Sequence, residues 1–448
     1  MSAKKNILFI HQSFPGQFGY LAPVLAKDGH QVVALTLNQA PQIPGVKILP
    51  YKLSRKPLQG LPYLMQEQDA KMLRAEGVAR ICEDLRIKGF IPDVIYAHPG
   101  WGECLFIKTI WPSARLVVYG EWYYNLNGQE VDFDPEFEPL GLEDRQRLKL
   151  KNSAWLHALS DADAVISPTK WQKSRFPQWA AEKIQVVHDG LNMAVLKPNH
   201  QQKLKLGKGI ELDAGKTILT FAARYMEPVR GFHKFMRALP AIQKSRPDVQ
   251  VLIMGRDAGD SSSGYGRPNP QGRTWRQSLL DELKGQLNLK SIHFLGFQNH
   301  QTYLAALQIS TCHVYLTSPF VLSWSFLEAA ALGVPMVASR TDPVMEFEGI
   351  SNLTLCDFHQ VGEISEAVLN VLASRPAHTP NALPEINLLR TLQQQKEILV
   401  GREDAVSQPA GMVVEKKPEP ATADGIRQPG GKIKRIPAVR RARPRSRA

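Results

Sequence analysis

Apolar and polar positions come in alternating blocks along the chain. Asn6–His11 is a short apolar run that closes in the polar loop Gln12–Gly16. Phe18–Gly29 then carries Phe18, Leu21, Val24 and Leu25 at helical spacing, Gly29 ends it, and Gln31–Thr36 is a second apolar run. The spacing predicts a β-α-β unit with a glycine-containing turn at the first strand's carboxyl end. Asp93–Ala97, Leu116–Tyr119, Ala164–Ser167 and Ile184–Val187 predict further buried strands. A second series starts near Lys216. Its predicted strands are Thr217–Phe221, Val249–Met254, Ile292–Leu295, His313–Leu316, Pro335–Ala338 and Leu353–Leu355. Helical patterns at Phe232–Gln243, Trp275–Leu287, Gln301–Leu307 and Ser323–Leu332 separate them. Strands alternating with helices imply parallel sheets covered on both faces. The expected fold class is therefore α/β, two doubly wound Rossmann-like domains in tandem. Ligands sit off the carboxyl ends of such strands, so the two sheets should face each other across a cleft.

The pattern also sets the expected boundaries. Residues 1–196 form the first domain, the Lys- and Gln-rich stretch 197–215 a linker, and 216–402 the second domain. Residues 403–448, poor in large apolar side chains, form a disordered basic tail. The tail changes the reading of charge. The 448-residue chain carries a net +13, but Ile426–Ala448 holds nine Lys/Arg and no acid, which leaves +4 for everything before it. Nucleic acid is thus not expected as a partner of the body. The motif IKRIPAVRRARPRSR fits anionic lipid headgroups or nucleic acid, and equally a solvated tail with no specific partner. Cys82, Cys104, Cys312 and Cys356 are widely spaced, with no CxxC pair and no Cys/His cluster. Neither a zinc site nor a disulfide framework is indicated, and a reducing cytoplasm fits. No apolar run reaches a membrane helix's length, and the leading run Ile7–Ile10 is too short for a signal peptide. A cytoplasmic protein, with peripheral contact to the inner membrane face through the tail, is the expected location.

One segment carries chemistry by itself. In PFVLSWSFLEAAALGVPMVAS, Pro319–Ser339, a polar turn opens an apolar helical run that Gly333 stops, and Glu328 sits in the middle of that run. A carboxylate there is costly unless something pairs with it. Ser323, Trp324 and Ser325 fall at the helix start, where unpaired backbone N–H groups and the helix dipole favour a phosphate. Either this is a nucleotide-sugar cradle, or it is a capped core helix whose Glu reaches solvent at its edge.

Further motifs favour the first alternative. ILFIHQSFPGQF, PDVIYAH (Pro92–His98), VVHDGLN (Val186–Asn192), FAARYMEPVRG (Phe221–Gly231) and the Pro319–Ser339 stretch occur in an order that resembles glycosyltransferase family 4. The resemblance covers roughly Asn6–Val371 and implies the GT-B fold. It implies a glycosyltransferase that moves a sugar from a nucleotide-diphosphate donor to an acceptor hydroxyl with retention, in polysaccharide or glycoconjugate synthesis. The acceptor would be a glycan or a lipid-linked molecule. No cofactor or metal is expected beyond the nucleotide sugar as co-substrate.

The resemblance also implies roles. His98 lies near the transferred sugar and is the expected catalytic residue. Arg224 and Arg230 hold the diphosphate, with Lys234 as second choice for the latter, because five residues separate the arginines where the family has four. Glu328 holds the ribose. The family's first glutamate would fall at Phe320, so the sugar is held either by backbone groups of Phe320–Leu322 or by another carboxylate, with Asp342, Glu346 and Glu348 near in sequence. Gly16 lets backbone approach the donor phosphate or the acceptor without a Cβ; it also reads as a plain turn glycine. Tyr119–Glu138, aromatic and acidic, reads as an acceptor loop with Glu121 as its first residue to test, or as a surface insertion. Gly255–Gly266 lines the nucleotide site or is a surface loop. Phe320 supports one alternative, a catalytically degenerate binding or scaffold protein. Another is a sugar-nucleotide epimerase or phosphorylase on the same fold. The first β-α turn lacks GxGxxG, which argues against a dehydrogenase.

Overall fold

The computed structural model describes residues 3–401 except 200, 208, 259–265 and 267. The tail 403–448 and most of Gly255–Gly266 lie outside the described residues. Seven strands build the first sheet: β1 (Asn6–Ile10), β2 (Gln31–Thr36), β3 (Val46–Pro50), β4 (Val94–Ala97), β5 (Arg115–Tyr119), β6 (Ala164–Ser167) and β7 (Ile184–Val186). They run parallel in the order β3-β2-β1-β4-β5-β6-β7. A hairpin follows, β8 (Lys203–Lys205) and β9 (Glu211–Asp213), paired antiparallel. The second sheet holds β10 (Ile218–Met226), β11 (Gln250–Asp257), β12 (Ile292–Gly296), β13 (Cys312–Tyr315), β14 (Met336–Ser339) and β15 (Leu353–Cys356). Its order is β12-β11-β10-β13-β14-β15, again parallel. In each sheet the chain starts in the middle and winds outward both ways, which opens a crevice at the carboxyl ends of β1/β4 and of β10/β13.

Central strands are buried on both faces and consequently read as continuous apolar runs. Leu8, Ile10, Ile95 and Val118 face one core layer of the first sheet, while Ile7, Phe9, Val94 and Val117 face the other. In the second sheet, Phe221, Val251 and Val314 pack against Phe235 and Leu239 of the helix Phe232–Ser245. The opposite side belongs to Phe326, Leu327 and Ala330 of the helix Trp324–Leu332 and to Met336 and Ala338 of β14.

Two expectations about organisation change. The stretch 197–215 is more than a polar connector: Leu204 and Leu212 of its hairpin are buried against Ile218, Leu252 and Ala306 of the second half. Two apolar residues, one between lysines and one between acids, are enough to tie it down. The helix Leu388–Val400, counted above with 216–402, returns to the first sheet. Its Leu388, Leu392 and Leu399 share a core with Phe9, Val94 and Tyr119, and Val400 O accepts from Lys5 Nζ at 2.9 Å. All four cysteines are buried and free. Among the described residues no helix is long and apolar enough to cross a membrane.

Candidate active site

Three strand ends of the first sheet deliver a hydrogen-bonded chain. His11 follows β1, with its N–H on Leu35 O. His98 follows β4, with its N–H on Ile10 O. Glu121 follows β5. The His11 ring accepts at Nδ1 from the Ser13 N–H (3.0 Å), so its proton sits on Nε2 and donates to Gln17 Oε1 at 3.0 Å. Gln17 Nε2 then donates to Glu121 Oε1 at 2.9 Å. From the other side, His98 Nδ1 accepts from the Gly100 N–H (3.3 Å), which leaves Nε2–H to donate to Glu121 Oε2 at 3.1 Å. Both lines of donors end on one carboxylate.

Burial and charge fit that pattern. The His11 and His98 side chains are buried, whereas the Glu121 side chain keeps 29 % exposure. Burial, with His98 beside it, pushes the His11 imidazole down to about 3, so it is neutral. Burial alone would raise the Glu121 carboxyl, but the hydrogen bond and charge of His98, with His11 and Gln17, outweigh it and bring the group below the usual glutamate range. Trp101 stacks on His98 with ring centroids 4.1 Å apart and fixes the imidazole plane.

Gly16 matters to this chain for a local reason. Its φ is +48°, and a Cβ there would come within 2.5 Å of the His11 ring at Cε1 and Nε2. Gly16→Ala therefore pays left-handed strain, about 1 kcal/mol, and also displaces His11. Gly29 is the control: φ is +91°, and its nearest neighbour would be the flexible Lys4 Cε at 3.4 Å. In chemical denaturation Gly16→Ala should lose at least about 1 kcal/mol more than Gly29→Ala. Equal losses would mean that the His11 contact is unimportant.

The second sheet supplies the opposite wall. Arg230, buried just beyond β10, places Nη1 on Val321 O (2.8 Å), Thr317 Oγ1 (3.2 Å) and Tyr315 Oη (3.4 Å). It thereby holds the turn between β13 and the helix Trp324–Leu332, and its guanidinium lies 5.0 Å from the Phe320 ring centre. Ser323 caps that helix, accepting from the Ser325 N–H at 3.2 Å, and donates its own N–H to Tyr315 Oη at 2.9 Å. The two hydroxyls are 2.9 Å apart. One turn on, Glu328 is buried and its Oε1 lies 2.8 Å from Nε2 of the half-exposed His300. Arg224 is exposed, past the bulge at Ala222/Tyr225, with its guanidinium 5.8 Å from the Tyr225 ring centre.

The two walls touch. Asp189 accepts from Tyr119 Oη at 2.7 Å and from Trp324 Nε1 at 3.1 Å, joining the end of β5 to the helix start. Glu346 accepts the N–H groups of Lys170 (2.9 Å) and Trp171 (2.8 Å), capping a first-half helix from the second half. Phe320 packs edge-on against Trp122 at 4.8 Å, in a cluster with Trp171 and Val229. The position expected to hold a glutamate is thus an apolar joint between the halves. Of the carboxylates near it in sequence, Glu346 is committed to that cap.

Sequence reasoning brought out His98, Glu121, Gly16, Arg230, Phe320, Ser323, Ser325 and Glu328, and the structure sorts them onto the two facing walls. It missed His11, Gln17 and Asp189, although each lies inside a quoted motif. For His11 the available signal was a polar residue directly after a buried strand. Among the described residues, one group has the spacing of metal ligands: Asp134, Glu136 and His233, with ligand atoms within 4.8 Å of one another. Lys234 Nζ stands 3.0 Å from Glu136 and 3.5 Å from Asp134, and Arg237 Nη1 is 2.7 Å from Glu136. Their charges already neutralise these carboxylates and would repel a metal ion.

Comparison with known proteins follows the two halves. The model described as Glycosyl transferase family 4 group matches residues 28–196, and that of Glycosyl transferases group 1 matches 216–374. The chain is 30% identical over 196 residues to D-inositol 3-phosphate glycosyltransferase of Mycobacterium tuberculosis (strain ATCC 25618 / H37Rv). That covers 42% of this chain and 36% of the relative, and a Mycobacterium bovis counterpart matches to the same extent. The chain thus spans about a third of the length of these curated relatives. In fold it is similar to sucrose-phosphate synthase from Thermosynechococcus elongatus (TM-score 0.65, 17% identity, 88% of this chain and 98% of that one). It is also similar to the catalytic domain of starch synthase IV from Arabidopsis thaliana bound to ADP and acarbose (TM-score 0.56, 12% identity, 87% and 95%).

Proposed function

This chain belongs to the glycosyl transferases of the GT-B fold, with a family 4 first half and a group 1 second half, and we propose that it moves a sugar from a nucleotide-diphosphate donor to an acceptor hydroxyl. The observation that carries the reading is the chain His11–Gln17–Glu121–His98, which ends on a partly exposed carboxylate opposite a serine-capped helix start. In the reaction the bond from the anomeric carbon to the diphosphate oxygen breaks, a bond to the acceptor oxygen forms, and the hydroxyl proton passes to the departing diphosphate. Glu121 accepts a hydrogen bond from a sugar or acceptor hydroxyl, and His98 positions it. Arg230, with Arg224 and the N–H groups at the helix start, meets the charge that develops on the diphosphate. Glu328 holds the ribose hydroxyls. The first half receives a glycan or lipid-linked acceptor, and the sugar is transferred with retention. The nucleotide sugar is a co-substrate, and no resident cofactor takes part. Polysaccharide or glycoconjugate synthesis at the cytoplasmic side is the setting this reading fits. The named mycobacterial relatives support a sugar-transfer role in kind.

A panel of nucleotide sugars, scored for release of nucleoside diphosphate with and without acceptors, tests the activity. Glu328 tests the donor site. Its partner His300 is half exposed, so water can replace the lost carboxylate. Glu328→Ala should weaken nucleoside diphosphate binding about tenfold, the worth of a charge-assisted hydrogen bond. Unchanged affinity by calorimetry would remove Glu328 from the site. A second reading, a binding protein without turnover, draws on Phe320, which offers an aromatic edge where a sugar-reading carboxylate was expected. Nucleotide binding with neither transfer nor donor hydrolysis would favour it.

A further inference from the structure

The segment Asp132–Glu138 leaves the first half and lands on the second. Phe133 packs edge-on against Phe358 at 5.2 Å, and Phe137 packs on His233 (5.6 Å) and Trp275 (5.7 Å). Between these anchors, Asp134 Oδ2 lies 2.7 Å from His233 Nε2, and Glu136 accepts from Lys234 Nζ (3.0 Å) and Arg237 Nη1 (2.7 Å). The base is tied to the first half. Asp132 accepts from the Leu140 N–H (2.8 Å) and from Arg145 Nη2 (3.0 Å), and Arg145 Nε donates to Leu140 O at 3.0 Å. The segment Asp132–Glu138 of the expected acceptor loop is instead a strap from the first half to the second.

The place where the strap lands is informative. His233, Lys234 and Arg237 lie in the first two turns of the helix Phe232–Ser245, which begins just past the carboxyl end of β10, with only Gly231 between it and Arg230. Strand carboxyl ends are where ligands of such sheets sit, and the amino end of a helix favours anions. Burial on its own would raise the Asp134 carboxyl, but His233 and Lys234 outweigh it and bring it down to about 2. The strap thus presents ionised carboxylates to this end of the helix. The contact is also releasable. Arg237 and Glu136 keep 27 % and 31 % exposure, so their pair is screened, and Phe133 and Phe137 are only partly buried.

We propose that Asp132–Glu138 is an internal competitor: Asp134 and Glu136 occupy Lys234, and Glu136 takes the side of Arg237 that Glu282 leaves open, in place of a phosphate-bearing ligand, and a diphosphate binds only as the strap lets go. This rests on the nucleotide-diphosphate reading above. Ligand affinity is then reduced by the small fraction of molecules with the strap released.

Calorimetry on the full chain, wild type against Asp134→Asn/Glu136→Gln, with inorganic pyrophosphate and with UDP, GDP and ADP, tests the proposal. Pyrophosphate and at least one nucleoside diphosphate should bind the variant about tenfold or more tighter, as expected when the competent state is a minor one. Amide exchange across 132–138 should speed up when pyrophosphate is added to the wild type. Equal affinities in the two forms overturn the proposal and leave the function reading intact. Tighter pyrophosphate binding with no nucleoside diphosphate bound by either form supports the strap and overturns the function reading. A variant that binds none of these ligands overturns both. Phe137→Ala, which loosens an anchor and keeps the charges, has to tighten binding in the same direction; weaker binding in that variant overturns the proposal.

Discussion

Glu121→Gln should lower sugar transfer by about 100-fold or more while nucleoside diphosphate still binds. The reason lies in the direction of the hydrogen bonds. The Ser13 N–H fixes the His11 tautomer, which fixes the Gln17 amide, which points a donor at Glu121 Oε1. The Gly100 N–H fixes the His98 tautomer, which points a second donor at Oε2. Position 121 must therefore accept twice, and a glutamine can accept only once. Its NH2 would face a donor, so the side chain has to turn away from the geometry that meets the substrate. Loss of a positioned acid-base or hydrogen-bonding carboxylate costs about 10²–10⁴ in rate, whereas the proposed nucleotide site is on the other wall. Steady-state kinetics paired with calorimetry separates the two effects. Retention of more than about a tenth of the activity would show that Glu121 does not meet the reacting groups. The pH profile provides a second check. Because Glu121 is held below the usual glutamate range, protonation of this group cannot cause a loss of rate between about pH 8 and pH 5. A rate that falls in that window has to be assigned to something else.

The sequence was most legible where one local cause decides the outcome. The run Ile7–Ile10 is apolar because β1 is buried on both faces between β2 and β4. Gly333 ends the helix Trp324–Leu332 with φ +72°, and a Cβ there would clash with the Thr379 and Pro380 backbone. Such positions can be read without knowing the fold. The long helix Tyr63–Ile87 was not predicted. It buries Leu73, Val78, Cys82 and Leu85, but Lys71, Ala75 and Gly77 are buried with them, which weakens the apolar stripe in the sequence. The helix Leu388–Val400 has such a stripe, yet nothing local says which sheet it covers. Site residues followed the same rule. Glu328 stood out as a charge in an apolar run. Asp189 did not, because its two partners lie 70 and 135 residues away and only the closed arrangement brings them together. The strap was legible in composition, as aromatic and acidic residues, but not in destination, since Lys234 and Arg237 belong to the other half.

Arg230 decides between the enzyme and the silent binding protein. Its three side-chain hydrogen bonds all fall on Nη1, so Nη2 and Nε have no hydrogen-bond partner among the described residues. One side of the fork holds the turn 317–321, and the other can take a diphosphate. Arg230→Ala removes both. Val321 O and Thr317 lose their donor, Phe320 loses its cationic support, and the serine-capped helix start loses its brace through Tyr315. A cost of about 2–4 kcal/mol in stability follows from stranding these groups, and transfer should fall by about 10²–10³. Arg230→Lys separates the two jobs. A lysine keeps the charge but is a point donor without the fork. It should recover most of the stability if it reaches Val321 O, and still leave transfer at least about tenfold down, because the same ammonium cannot serve turn and diphosphate together. Denaturation midpoints and kcat, measured side by side, test this. If Arg230→Lys restores stability and full activity, the arginine is only a strut, and the diphosphate must be met by Arg224 or by the helix start alone.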